Sequence, residues 1–181
     1  HKNILIFRRF FNSANRLSLI IFVSSLADVS SQTVTNAFWG VTWGMKDLDA
    51  FYLLKEQQLS PEFQQIGNET LVIINNVSYQ NVRWEICVFA FSSFKLYDVQ
   101  FLKNNFRKSD ASEDYLELKN KILYRYSNLY PLQFKWRDDA LDSYCIEDKK
   151  TRLCCEHFYN HMLRTYGVSL RYTLRKHIKN M

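Results

Sequence analysis

The sequence predicts an α+β fold. An alternating run, "VRWEICVFAF" at 82–91, follows the β-branched run "TLVII" at 70–74 closely enough to form a hairpin. "SDASEDYLELKNKILYRYSNLYP" carries Tyr115, Leu118, Ile122, Tyr126 and Leu129 as one helical seam, and Pro131 stops it. Few helical stretches fall between the strands, which disfavours a parallel doubly wound sheet. The expected architecture is a mixed or mostly antiparallel sheet with helices on one side and further helices at the C-terminus. A small OB-like barrel is one specific form of it.

Taken in order, "ILIFRRFF" at 4–11 reads as an edge strand or a helix start, and "LSLIIFV" at 17–23 as a buried strand or helix. The stretch 17–29 is too short to cross a bilayer and carries Asp28. "VTNAFWGVTW" at 34–43 reads as a strand with a bulge at Gly40. "KDLDAFYLLKEQQL" at 46–59 reads as a helix capped by Asp47, with Leu48, Phe51, Tyr52 and Leu59 on one side. Ser60-Pro61-Glu62 then restarts a short turn. The hairpin turn is expected at Asn75-Asn76. Asp110 and Glu113 suit a cap of the long helix, and "LQFKW" at 132–136 alternates as a strand. Residues 151–166 read as a helix closed by Gly167, and 169–180 as a last, basic helix. The whole of 1–181 is expected to be one domain, with 169–180 appended to it.

Composition agrees with a packed domain. The chain is 47% hydrophobic and 16% aromatic, with only 4 Gly and 2 Pro, which excludes a disordered or linker-rich protein. It opens on His1, so a preceding segment is expected. Four cysteines are too sparse for a disulfide scaffold. Asn68-Glu69-Thr70 and Asn76-Val77-Ser78 are N-glycosylation sequons. They pull toward secretion against the sparse cysteines, and the balance favours an intracellular location.

The net charge of +6 sits at the ends. Residues 1–27 carry Lys2, Arg8, Arg9 and Arg16 with no acid, and 164–181 carry Arg164, Arg171, Arg175, Lys176 and Lys179 with no acid. Such asymmetry suits contact with a polyanion or an acidic partner. On a helix, Arg171, Arg175 and Lys179 would form one row of cations.

"CIEDKKTRLCCEHFYNH", 145–161, is the stretch richest in reactive side chains. Helical spacing would bring His157 and His161 to one face near Cys154, with Cys145 as a fourth zinc ligand. It would also point Cys155 and His157 apart, which disfavours a nucleophile and base there. Burial of Cys154, Cys155, Phe158, Tyr159, Met162 and Leu163 against a core is the preferred reading. A disulfide involving Cys145 is a further alternative. "DDALD" at 138–142 reads as a solvated acidic loop, and no phosphate-cradling or nucleophile motif is present.

The expected function is therefore a non-enzymatic binding or assembly module. It would dock on a protein partner and present Arg8, Arg9, Arg16, Arg164, Arg171, Arg175, Lys176 and Lys179 to nucleic acid or an acidic surface. Two alternatives are a secreted glycoprotein that recognises a receptor or ligand, and a zinc-stabilised nucleic-acid-binding domain. The leading reading calls for no catalytic residue, cofactor, metal or small-molecule substrate.

Overall fold

The computed structural model describes Val34 and residues 37–178, all within one compact unit, Thr33–Met181. The readings made above for 4–11, 17–23, Arg8, Arg9, Arg16 and Lys179 lie outside the described residues.

A hairpin, β1 (Ala37–Phe38) with β2 (Val41–Thr42), leads into helix α1 (Asp47–Glu56). Four strands follow: β3 (Pro61–Ile66), β4 (Glu69–Tyr79), β5 (Val82–Ser92) and β6 (Lys95–Asn105). Helix α2 (Lys108–Arg125) precedes four more: β7 (Pro131–Leu132), β8 (Ala140–Glu147), β9 (Thr151–Asn160) and β10 (Thr165–Leu174). A single turn of helix, α3 (Arg175–Ile178), ends the described chain. The eight strands β3 to β10 form one antiparallel sheet in the order β3-β4-β5-β6-β10-β9-β8-β7. Two meanders, each preceded by a helix, thus meet at their last strands. The sheet is open, with edges at β3 and β7, so it is not the OB-like barrel.

The seam read from sequence in α2 faces the sheet. Ala111, Tyr115, Leu118, Ile122 and Tyr126 are buried in the same core cluster as Phe89, Phe101, Val168, Leu170 and Tyr172. The helix begins at Lys108 with Arg107 as its N-cap and no side-chain cap, so Asp110 is a first-turn acid near the positive helix end rather than the cap. In α1 the buried residues are Asp47, Ala50 and Leu54, while Leu48 and Tyr52 are exposed. The expected face was rotated because Phe51 lies at its margin, stacked on Phe63 of β3 at 4.4 Å.

Several segments depart from the sequence reading. Residues 34–43 are not one strand: Trp39 and Gly40 both take positive φ, 51° and 88°, and close the β1–β2 hairpin. Gln80-Asn81 (52° and 62°) and Ser93-Phe94 (49° and 64°) make the same kind of two-residue turn. The β4–β5 turn is therefore at Gln80-Asn81, not at Asn75-Asn76, and Pro61 opens a strand rather than a turn. Asn76 has another role. Its φ of 52° falls inside β4, and burial changes parity there: Thr70, Val72 and Ile74 are buried before it and Val77 after it. The facing strand β5 switches too, from Trp84 to Cys87, Phe89 and Phe91. A left-handed residue turns the pleat over, so a coiled hairpin keeps apolar side chains on one core.

The largest departure is 151–180. Among the described residues, the expected helices over 151–166 and 169–180 are the strands β9 and β10, with only Arg175–Ile178 helical. β9 lies inside the sheet and is buried on both faces. Leu153, Cys155 and His157 take one side and Cys154, Glu156 and Phe158 the other. A strand covered twice loses polar alternation and cannot be told from a buried helix by period. Gly167, read as a helix cap, is a spacer: a Cβ there would lie 2.3 Å from the Phe158 ring.

The strand expected at 132–136 is not formed beyond Leu132, and the segment 133–139 lies instead across the second face of β8–β10. Glu156, buried in β9, accepts the Trp136 backbone N–H at 2.7 Å, and Ser143 donates to the Phe134 carbonyl at 2.8 Å. Three arginines stack on rings here: Arg137 on Phe158 at 3.9 Å, Arg152 on Phe134 at 4.2 Å and Arg171 on Trp136 at 4.1 Å.

Two measurements check this packing. Leu118→Ala and Ile122→Ala should each lower unfolding free energy by about 2–5 kcal/mol in denaturant titration. An unchanged midpoint for both would mean that α2 does not pack as described.

Candidate anion-binding site

The site is built by a turn, a hairpin and a helix end. The β8–β9 turn is tied by Asp148, whose Oδ1 accepts the backbone N–H groups of Lys150 and Thr151, each at 2.7 Å. This leaves the side chains of Lys149 and Lys150 exposed. The Arg175 backbone N–H donates to the Lys150 carbonyl at 2.8 Å, and its guanidinium donates to the Asp148 carbonyl at 2.8 Å. That places Arg175 and Lys176 beside the turn. Trp43 forms the third wall, because its indole N–H donates to Thr151 Oγ1 at 2.9 Å and pins β2 to the start of β9. Together Thr42, Trp43, Gly44, Lys149, Lys150, Leu174, Arg175 and Lys176 line a trough of about 530 Å³.

The acids at this end are engaged. Glu147 holds Arg152 at 2.8 Å and Arg175 at 3.3 Å, and Asp148 also accepts the Val34 backbone N–H. Among the described residues, Lys149, Lys150 and Lys176 have no ion-pair partner. Lys46 and Lys95 face each other in a lone β-bridge beside Gly44 and add two exposed cations. His177 adds none at neutral pH: burial, then the Lys176 ammonium, hold its imidazole below the usual range. It stacks on Tyr97 at 4.7 Å. A concave wall with one indole, a guanidinium and several ammonium groups is suited to sulfate, phosphate or carboxylate groups on an extended ligand.

Arg171 and Arg175 do not share a helix face as expected, since Arg171 lies in the strand β10, and Lys179 lies outside the described residues. Among the described residues of the predicted set, Arg175 and Lys176 alone meet. Arg164 lies in the β9–β10 turn at φ 53°, at the far end of β10, about 35 Å away by strand rise. Arg171 is turned to the second face of the sheet. Its Nε donates to Asp98 at 2.8 Å while its guanidinium lies on Trp136, so it is a structural cation. Asp98 is buried; burial pushes its carboxyl above the usual range, and Arg171 and the Thr173 hydroxyl pull it back. Lys149 and Lys150 were missed by the sequence reading. Their signal was "EDKK", a polar run between two apolar runs, which marks a hairpin turn once 151–160 is read as a strand.

The zinc set is overturned. Cys145 and Cys154 are directly paired across β8 and β9 and joined by a disulfide, with Cα atoms 4.1 Å apart. The preference for a purely apolar role of Cys154 is corrected by the same bond, which satisfies the alternative involving Cys145. On a strand His157 and His161 are about 13 Å apart by rise, and no metal-holding group of His, Cys, Asp and Glu occurs among the described residues. Cys155 and His157, set apart by helical spacing, share a face of β9. Burial keeps the Cys155 thiol protonated and holds His157 below its usual range, and Tyr115 stacks over His157.

Two outcomes follow. Asp98→Ala should cost about 3 kcal/mol, at the low end for a broken buried pair because Arg171 keeps 21% of its side chain exposed. An unchanged thermal midpoint would show the pair to be dispensable. Replacing Cys145 and Cys154 together with alanine should cost about 2.5 kcal/mol by loop-closure entropy for a short loop, read by denaturant unfolding with and without reductant. Comparison with known proteins finds no matching family model, no matching curated protein and no matching solved structure.

Proposed function

We propose that the chain is a binding module that recognises an anionic ligand or an acidic partner surface through the trough at its basic end. The observation that carries this reading is the convergence of Lys149 and Lys150 with Arg175 and Lys176 around Trp43, from segments far apart in sequence. Like charges gathered without free acids between them repel, and an anion placed among them relieves that repulsion. The indole offers a flat apolar wall for a sugar, base or aliphatic stem between the charges.

The Cys145–Cys154 disulfide favours the secreted form of this reading. Such bonds persist in oxidising compartments and are rare where thiols are kept reduced. The ligand classes are then an acidic glycan or an acidic protein face before nucleic acid. The intracellular expectation drawn from the sparse cysteines gives way to this one.

The test is a salt series with three probes: a sulfated glycan, an acidic peptide and a single-stranded oligonucleotide. Binding should weaken steeply with salt, and a triple variant, K149A/K150A/K176A, should flatten the log–log slope by about 2 for the single-stranded probe. Arg175 is left intact because it braces the turn. A triple variant with unchanged affinity and slope for every probe would remove the reading.

A further inference from the structure

We propose that Asn68 and Asn76 both carry N-linked glycans, which bracket the free edge strand β3 and shield it from pairing with other chains. The proposal shares with the function above only the oxidising compartment and makes no use of the basic trough.

Both acceptor asparagines are presented to solvent, while Thr70 of the first sequon is buried in the folded chain and donates to Gln65, so transfer to Asn68 precedes closure of β4. Asn68 is exposed in the two-residue turn between β3 and β4, after Gly67 at φ 58°. Asn76 is exposed where its φ of 52° breaks the pleat of β4, and Ser78 beside it is exposed too. No side-chain hydrogen bond occupies either amide among the described residues. A glycan on either nitrogen therefore displaces no packing. The disulfide is the second, independent observation, because it forms in the compartment where sugars are transferred to Asn-X-Ser/Thr.

The positions relate to one strand. β3 pairs with β4 from Ile66↔Glu69 to Pro61↔Ile74. Asn68 lies just beyond one end of this ladder and Asn76 just beyond the other, about 26 Å apart along β4. β3 is the long edge of the sheet, since the other edge, β7, has two residues. It is exposed along nearly all its length, Phe63 and Ile66 included, and has no lysine or arginine on it. Pro61 and Glu62 guard only its first two positions, so the stretch from Phe63 to Ile66 remains a template for strand addition, and natural sheets protect such edges.

The modification is a group transfer. The donor is a lipid-linked oligosaccharide pyrophosphate. The Asn side-chain nitrogen forms a bond to the anomeric carbon of the first sugar, the bond from that carbon to the pyrophosphate oxygen breaks, and the lipid pyrophosphate leaves with the electron pair. One amide proton is lost.

The full chain isolated from the cells that make it is treated with a peptide N-glycosidase and mapped by mass spectrometry. Conversion of Asn68 and Asn76 to aspartate is expected, with Cys145 and Cys154 found as one disulfide-linked pair. N68Q and N76Q expressed in the same cells should each lose one glycan. The deglycosylated protein should sediment as concentration-dependent oligomers, and Gln64→Lys with Ile66→Lys should return it to monomer, because neither residue joins the Phe51–Phe63 stack. An intact disulfide with either asparagine unmodified overturns the glycosylation proposal and leaves the compartment reading standing. Free thiols at Cys145 and Cys154 with both asparagines unmodified overturn both. A deglycosylated protein that stays monomeric overturns the shielding role.

Discussion

The ladder between β6 and β10 is the constraint on which the rest depends. It joins two meanders whose residues are far apart in sequence, running from Asn105↔Tyr166 to Asp98↔Thr173. Closing such a long loop costs chain entropy that local turns do not repay. The repayment comes from burial on one face, where Val99, Phe101, Val168, Leu170 and Tyr172 lie in one core cluster with the seam of α2. On the other face it comes from Asp98, which holds Arg171 and Thr173 across the same ladder.

The antiparallel order has a consequence for the surface. Because β6 and β10 run in opposite directions, the end of β10 falls beside the start of β6, and the β8–β9 turn falls beside both. Lys95, Lys149, Lys150, Arg175 and Lys176 gather there, although no short stretch of sequence contains them. Arg164, only eleven residues before Arg175, is carried to the opposite end by one strand. Cationic residues that look equivalent along the chain therefore divide into a group around the trough, an isolated turn residue and a structural residue, Arg171.

Several charged residues are committed to the second face of the sheet. Residues 133–139 cover the β8–β10 half of that face. Glu156, Arg152 and Arg171 serve to hold this cover through hydrogen bonds and ring stacking. The disulfide lies on the same side, between β8 and β9. One half of the molecule is thus fixed by polar and covalent links on one face and by α2 on the other, while β3 at the far edge is left exposed.

The sequence by itself determined the α+β class, the helix read over 110–130 and observed at Lys108–Arg125, and the strands at 70–74 and 82–91. Each of these shows a period because one side meets water and the other does not. It also displayed both sequons and the excess of positive charge. Tertiary structure decided the nature of 151–174, the disulfide and the location of the basic trough. β9 is buried on both faces, so Leu153, Cys154, Cys155 and Phe158 leave no alternation to read. A disulfide partner and a cluster of cations are defined by cross-strand register, which depends on how the whole sheet pairs. The polar run around Lys149 marks a hairpin turn only once 151–160 is known to be a strand, and burial of β9 on both faces conceals that.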